Sequence, residues 1–271
     1  MPPFFGSRAA LIAVFGAVIT LALGWHPRAR VERIDTTLVD TQYRGSLTRI
    51  AVIGDFHFNS TDDFDDTRAL IRDVAAAQPD AIFLVGDYIG HSSDMNTQHA
   101  AIAGVLAGLV DSAPVYAVLG NHDNGSWREL WQQVFAQTPI ELVENRVIAN
   151  DQFCVRGYGD LYSEQWQPTP LPDGCRDKTL TLTHDPMGLV FASGQLDTPG
   201  FAGHTHCGQI RVPWIGALIA HTDAPRAMHC GAFEIGKPGL TTGGVGTSIL
   251  PLRWGPGAAP RWELVTLVNQ S

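Results

Sequence analysis

Four short segments rich in aspartate and histidine occur in one order along the chain: Asp55-Phe56-His57, Gly86-Asp87, Gly120-Asn121-His122-Asp123 and Gly203-His204-Thr205-His206. His184 stands between the last two. Apolar runs lead into them: Arg49 to Gly54 before Asp55, Ala81 to Val85 before Gly86, and Val115 to Leu119 before Gly120. Thr179 to Thr183 leads into His184 with alternating apolar and polar residues. Such runs read as buried strands. The polar residues then fall at the C-terminal strand ends, the edge at which α/β sheets place their sites. A mixed α/β domain is expected.

Neutral imidazoles, carboxylates and a carboxamide oxygen are the donors that hold divalent ions, and a carboxylate can bridge two of them. Phosphate esters create the matching demand. Their negative charge repels hydroxide, so hydrolysis needs an activated water and neutralisation of the charge that builds on phosphorus. Two divalent ions roughly 3.5–4 Å apart do both. Asp-x-His or Gly-Asp alone would be ordinary turn chemistry. Gly-Asn-His-Asp after an apolar strand and Gly-His-Thr-His carry the weight, and the ordered set carries more.

On these motifs the chain resembles the calcineurin-like metallophosphoesterase superfamily. It is most similar to the membrane-associated phosphodiesterase branch that includes YkuE- and YaeI-like proteins and UDP-2,3-diacylglucosamine pyrophosphatases. The likeness runs from about Thr48 to the C-terminus. It includes the stretch Gly203 to Pro213 and a later Gly244-Val245-Gly246-Thr247-Ser248 followed by Leu250-Pro251-Leu252-Arg253-Trp254-Gly255. The resemblance implies an αββα sandwich of two mixed sheets flanked by helices. It also implies that Asp55, His57 and His206 hold one metal, that Asn121, His184 and His204 hold a second, and that Asp87 bridges them. His122 is then left to face the substrate, stabilising the transition state or protonating the leaving oxygen, with Asp123 orienting its ring. Mn²⁺, Fe and Zn²⁺ all suit these donors.

The chain departs from the family at Gly54 and Phe56, where Ser and Leu are common, at Asp185-Pro186-Met187 after His184, and at Cys207, where Gly is frequent. None of these supplies a ligand, and Cys207 is expected to fill a small gap, the competing reading being that it tunes the neighbouring ligand. His91, in a polar loop beyond Asp87, could reach a substrate phosphate. Arg211 and Arg253 are stronger choices for anchoring a phosphate or sugar, because guanidinium pairs bidentately with phosphate. His99, His221 and His229 show no partner pattern and read as surface or packed histidines.

The 271 residues, without repeats or low-complexity tracts, fit one catalytic domain at 48–271 after a lead-in at 27–47. A net charge of −9 argues against nucleic acid as the partner. Asp62, Asp63, Asp65 and Asp66 suit the start of a helix running to about Ala77, before Pro79.

Residues 1–26 form a separate unit. Ala9 to Trp25 is uncharged and apolar, at the short edge of what spans a bilayer. A transmembrane anchor is expected, with a cleaved signal peptide as the competing reading. Arg28, Arg30 and Arg33 after the run place the catalytic domain on the cytoplasmic face of the inner membrane, whereas Arg8 before it looks like the start of an export signal. Cys154 and Cys175 bracket a segment that a disulfide could close, while Cys207 and Cys230 suggest no pairing.

Tethering raises the effective concentration of membrane-surface substrates. Trp214, Ile215, Leu218, Ile219, Phe233 and Ile249 could line a lip for an acyl chain. The resemblance makes a lipid-linked nucleotide diphosphate such as UDP-2,3-diacylglucosamine the specific expectation for substrate. Broader phosphodiesterase or phosphomonoesterase activity uses the same centre. A non-catalytic membrane scaffold with a relic site predicts missing ligands, and none is missing.

Overall fold

The structure, a computed structural model, describes residues 30–248 and 252–269. The apolar run at 9–25 and Ile249 lie outside the described residues. Among those described, no helix is long and apolar enough to cross a membrane.

The apolar runs form strands β2 (Arg49–Ile53), β3 (Ala81–Leu84) and β4 (Val115–Ala117), nearly every residue of which is buried. Successive side chains of a strand point to opposite faces, and both faces here are covered. Ile50, Val52, Ala81, Phe83 and Tyr116 point to one cluster, while Ala51, Ile53, Ile82, Leu84, Val115 and Ala117 point to another. Burial on both sides is why these strands read as continuous apolar runs.

The first sheet also contains β1 (Glu32–Val39), β5 (Glu141–Leu142) and β14 (Arg261–Val268), in the order β1-β14-β2-β3-β4-β5. β2 to β5 are parallel; β14 runs antiparallel to β2, and β1 runs parallel to β14. The second sheet, β12-β13-β9-β8-β7-β6, is built from β6 (Arg146–Ala149), β7 (Cys154–Gly157), β8 (Thr179–Leu182), β9 (Gly200–Ala202), β12 (Gly231–Ile235) and β13 (Lys237–Thr241). Its four inner strands are parallel and its edges antiparallel. Phe83, Tyr116 and Val265 of the first sheet meet Val155, Leu182 and Phe201 of the second in the shared core.

Helices α1 (Asp63–Ala77), α2 (His99–Leu106) and α3 (Arg128–Phe135) cover the outer face of the first sheet. Asp62 to Asp66 start α1 as expected, and Asp63 accepts the amides of Asn59 and Ser60 at 2.7 and 2.9 Å. Leu70 and Val74 on its inner face are each worth roughly 1.5–3 kcal/mol on burial. The outer face of the second sheet carries much less helix: α4 (Met187–Val190), one turn long, packs with Leu196, Met228 and Phe233. The αββα sandwich is therefore lopsided.

Two placements differ from the sequence reading. Residues 32–39, read as lead-in, are a sheet strand; charged Glu32, Arg33 and Asp35 hide it because β1 is an edge, with much of its surface in solvent. All four cysteines are paired, Cys154 with Cys175 as anticipated and Cys207 with Cys230 against expectation.

Candidate metal centre

The loops after β2, β3, β4, β8 and β9 converge between the two sheets and carry every residue of the motifs. Their backbones are cross-tied: Asp55 N donates to Gly86 O (2.9 Å), His57 N to Asp87 O (3.0 Å) and Gly203 N to His184 O (2.9 Å). Gly120 is required by contact, since a Cβ there would lie 2.2 Å from Asp87 Oδ1. Among the described residues, eleven that are not glycine have positive φ, and Asp55, His57, Asp87, His204 and His206 are five of them. Left-handed backbone is unfavourable for such residues, and its concentration here is strain of the kind that functional sites hold.

Around Asp87 the tautomers are set by backbone carbonyls, which only accept. His184 Nδ1 donates to Val85 O at 2.6 Å, and His204 Nε2 donates to His221 O at 2.8 Å. That leaves His184 Nε2 and His204 Nδ1 facing each other 3.1 Å apart. His184 Nε2 also lies 3.2 Å from both Asp87 Oδ2 and Asn121 Oδ1. Outer hydrogen bonds that fix the far nitrogen of an imidazole are the usual support of a metal ligand.

On the other side of Asp87, His57 Nε2 and His206 Nε2 are 2.9 Å apart, and His57 Nε2 is 3.5 Å from Asp87 Oδ2. Asp55 accepts His204 N through Oδ1 (2.9 Å), while its Oδ2 is buried with no partner. Asp55, His57 and His206 bring donor atoms within 4.8 Å of one another, as do Asp87, His184 and His204, and His57, Asp87 and His122. Buried lone pairs and carboxylates facing each other without a cation are costly. The donor set fits two divalent ions sharing Asp87.

Burial pushes His57 down to about 3, and burial, then the neighbouring His57, holds His206 well below the usual histidine range. Both are neutral, as ligands must be. Burial raises Asp55 to about 7. Asp87 is different: burial alone would raise it, but His184 outweighs that and holds it well below the carboxylate range, while against its own burial Asp87 holds His184 well above the histidine range, so a metal ion would take the place of the His184 Nε2 proton.

His122 adjoins the same cluster. Its amide donates to Asp87 Oδ1 (2.9 Å), and its ring stands edge-on to His57 and to His91, with centroids 4.7 and 4.5 Å apart. The structure thus brings His91 to the site. Asn59 sets this loop, its side chain donating to His57 O (2.7 Å) and accepting the His91 amide (3.0 Å). Asp123 has a different place from the one expected. Its carboxylate accepts the amides of Tyr88 (2.9 Å), Ile89 (3.3 Å) and Gly120 (2.9 Å), so it clamps the Asp87 loop to the Asn121 loop instead of orienting His122. Burial, then the charge of Asp87, pushes it up to about 8.

Neither arginine is placed to anchor substrate. Arg253 is buried and donates to the carbonyls of Gly243, Gly244, Gly246 and Ala258, with Nη2 also 3.1 Å from His206 Nδ1. A guanidinium only donates, so a metal on His206 Nε2 requires the proton to sit on Nδ1 and this contact to give way. Arg211 donates to Pro256 O (2.8 Å) and Cys207 O (2.5 Å). Cys207 fills no gap; its disulfide ties the loop of His204 and His206 to the entrance of β12, and Arg261 Nη2 lies 2.7 Å from both sulfurs. Tyr162, which sequence reasoning passed over, is exposed with its ring 5.6 Å from that of His204. Its only signal was its place in the segment that the Cys154–Cys175 pair closes.

Two sheets whose strand tips converge on histidines grouped about a shared carboxylate define the dinuclear phosphoesterase class. Residues 48–208 match the calcineurin-like phosphoesterase family, and the chain belongs to it. It is 30% identical over 259 residues to phosphodiesterase YaeI of Escherichia coli strain K12, covering 90% of this chain and 91% of that protein. It is 22% identical over 275 residues to the UDP-2,3-diacylglucosamine pyrophosphatase LpxG of Chlamydia muridarum, covering 78% and 80%. It is also 22% identical over 215 residues to the uncharacterized metallophosphoesterase YkuE of Bacillus subtilis, covering 76% and 74%. The chain is a metal-dependent phosphoesterase.

Proposed function

We propose that the enzyme hydrolyses a phosphodiester or pyrophosphate bond of a lipid-linked substrate at a membrane surface. Asp55, His57, His206 and Asp87 hold one divalent ion, and Asp87, Asn121, His184 and His204 hold the other. When bound, such ions supply Lewis-acid activation of water and of the phosphoryl group. The protein's own part is orientation and proton handling. His122, outside the two ligand sets and beside His91, binds a phosphoryl oxygen and donates its proton to the leaving oxygen. The phosphorus–oxygen bond to the leaving group breaks as the bond to water's oxygen forms. The observation that carries this reading is the cluster of buried imidazoles and carboxylates grouped about Asp87, with His122 beside it.

The specific substrate proposed is UDP-2,3-diacylglucosamine, split by water into UMP and the lipid phosphate; the likeness to LpxG supports it. A second reading, another lipid phosphodiester outside the cytoplasm, is favoured by the pairing of all four cysteines, since disulfides persist in oxidising compartments. On that reading the export-like start of the chain, with Arg8 before the apolar run, outweighs the arginines that follow it.

The test is hydrolysis by detergent-purified full chain, stripped of metal and then given Mn²⁺, with UDP-2,3-diacylglucosamine beside an aryl phosphodiester. Metal-dependent UMP release supports the first reading. Cleavage of the aryl ester alone supports the second, and cleavage of neither rejects both.

A further inference from the structure

Beside the metal loops, β10 (Arg211–Val212) and β11 (Gly216–Ala217) form a small antiparallel hairpin that belongs to neither large sheet. Trp214 turns it with φ +64° and is fully exposed, and Ile215, Leu218 and Ile219 are each more than half exposed. Of the residues expected to form an apolar lip, these four do so and Phe233 is buried instead. The exposure is built in. Val212 pairs with Gly216, Arg211 is tied to Pro256 O and Cys207 O, and Arg226 donates to Ile215 O. A contiguous apolar tip on a braced hairpin marks an interaction surface.

Topology says what covers it. β1 begins at the same rim: Glu32 pairs with Arg261, its amide donates to Pro260 O at 2.9 Å, and Arg211 N donates to Trp254 O at 2.8 Å on the same connecting segment. Because β14 is antiparallel to β2, that rim is also the end at which β2 delivers Asp55. The apolar run closes at Trp25, so six residues, 26–31, separate it from β1, a reach of roughly 20 Å when extended. Hairpin, metal centre and the start of β1 share one side of the molecule, and the apolar run precedes β1 by that short reach in sequence.

We infer that the β10–β11 hairpin docks into a phospholipid bilayer, with Trp214 at the headgroup level and Ile215, Leu218 and Ile219 below it, and that the metal centre opens toward that surface. Tryptophan is at home at this depth. Four side chains cannot supply the roughly 800 Å² per partner that a stable dimer needs. The inference holds whichever phosphoester is the substrate.

The test uses the full chain reconstituted in phosphatidylethanolamine–phosphatidylglycerol vesicles, with one environment-sensitive fluorophore at Leu218→Cys and, separately, at Ile215→Cys. Asp151→Cys, in the exposed loop before β7 at the far end of the second sheet, is the reference. The native cysteines are paired and do not compete for label. Spin-labelled lipids are expected to quench the two hairpin probes at least three-fold more than the Asp151 probe. Equal, weak quenching at all three sites overturns the inference. So does a hairpin probe shielded from aqueous quencher without lipid quenching in a protein of doubled mass, because the surface is then a contact between copies.

Discussion

At the scale of the residue, His122 and Asp87 are neighbours with separable duties. Asp87 faces His57 and His184 at 3.5 and 3.2 Å, whereas the His122 ring stands edge-on to His57 and His91 and reaches Asp87 only within the wider 4.8 Å spacing of the donor groups. His122→Ala is expected to keep both metals by elemental analysis while kcat falls about 10²- to 10⁴-fold, the usual worth of a general acid. Asp87→Ala is expected to lose metal. The reverse pattern would reassign both. Asp123→Ala strands three buried amides, so unfolding free energy should drop by roughly 3 kcal/mol in denaturant titration. A loss confined to kcat, with stability intact, would restore Asp123 to the catalytic role that its place beside His122 suggests. Sequence named the proposed metal ligands together with His122, Asp123 and His91, and passed over Asn59 and Tyr162. It misjudged Arg253 because a guanidinium suits carbonyl oxygens as well as phosphate, and nothing local says that four carbonyls will surround it.

Among the elements, α2 carries a pH-dependent liability. His99 sits between Trp127 and Trp131, centroids 5.0 and 4.8 Å away, with both ring nitrogens buried and unpartnered. Burial lowers its pKa. An unfolded imidazole titrates near 6.5, so the native state is undiminished above that pH and loses stability as pH falls toward the lower native value. His99→Phe removes the titration. Its Tm advantage over the parent should widen as pH drops from about 7.5 to 5.5, by roughly 2–4 °C per kcal/mol; calorimetry showing a constant gap would refute this. The legible elements were those buried on both faces or bounded by strong signals, as β2, β3, β4 and α1 are. β1 escaped notice because an edge strand can keep charged residues. Beyond His184 the strands are two to five residues long and broken by Gly and Pro, except β14, whose Arg and Glu mask its burial.

For the whole molecule, metal and disulfide act on the same loops. A chelator should lower Tm, since an ion bound only by the native state stabilises it by about 2.7 kcal/mol at a hundredfold excess over Kd. A Cys207→Ser, Cys230→Ser double variant should remain folded but hold less metal at limiting Mn²⁺ than a Cys154→Ser, Cys175→Ser variant, because only the first frees the loop of His204 and His206. Equal retention would show that the second sheet alone positions that loop. The pairing of β1 with β14 bears on time as well as space. β14 lies between β1 and β2, so the first described strand has no partner until residues 261–268 have left the ribosome. During synthesis β1 waits as an open strand edge. Completion of the sheet, and with it the setting of the Arg261–Cys207 contact behind the metal loops, must follow the synthesis of β14.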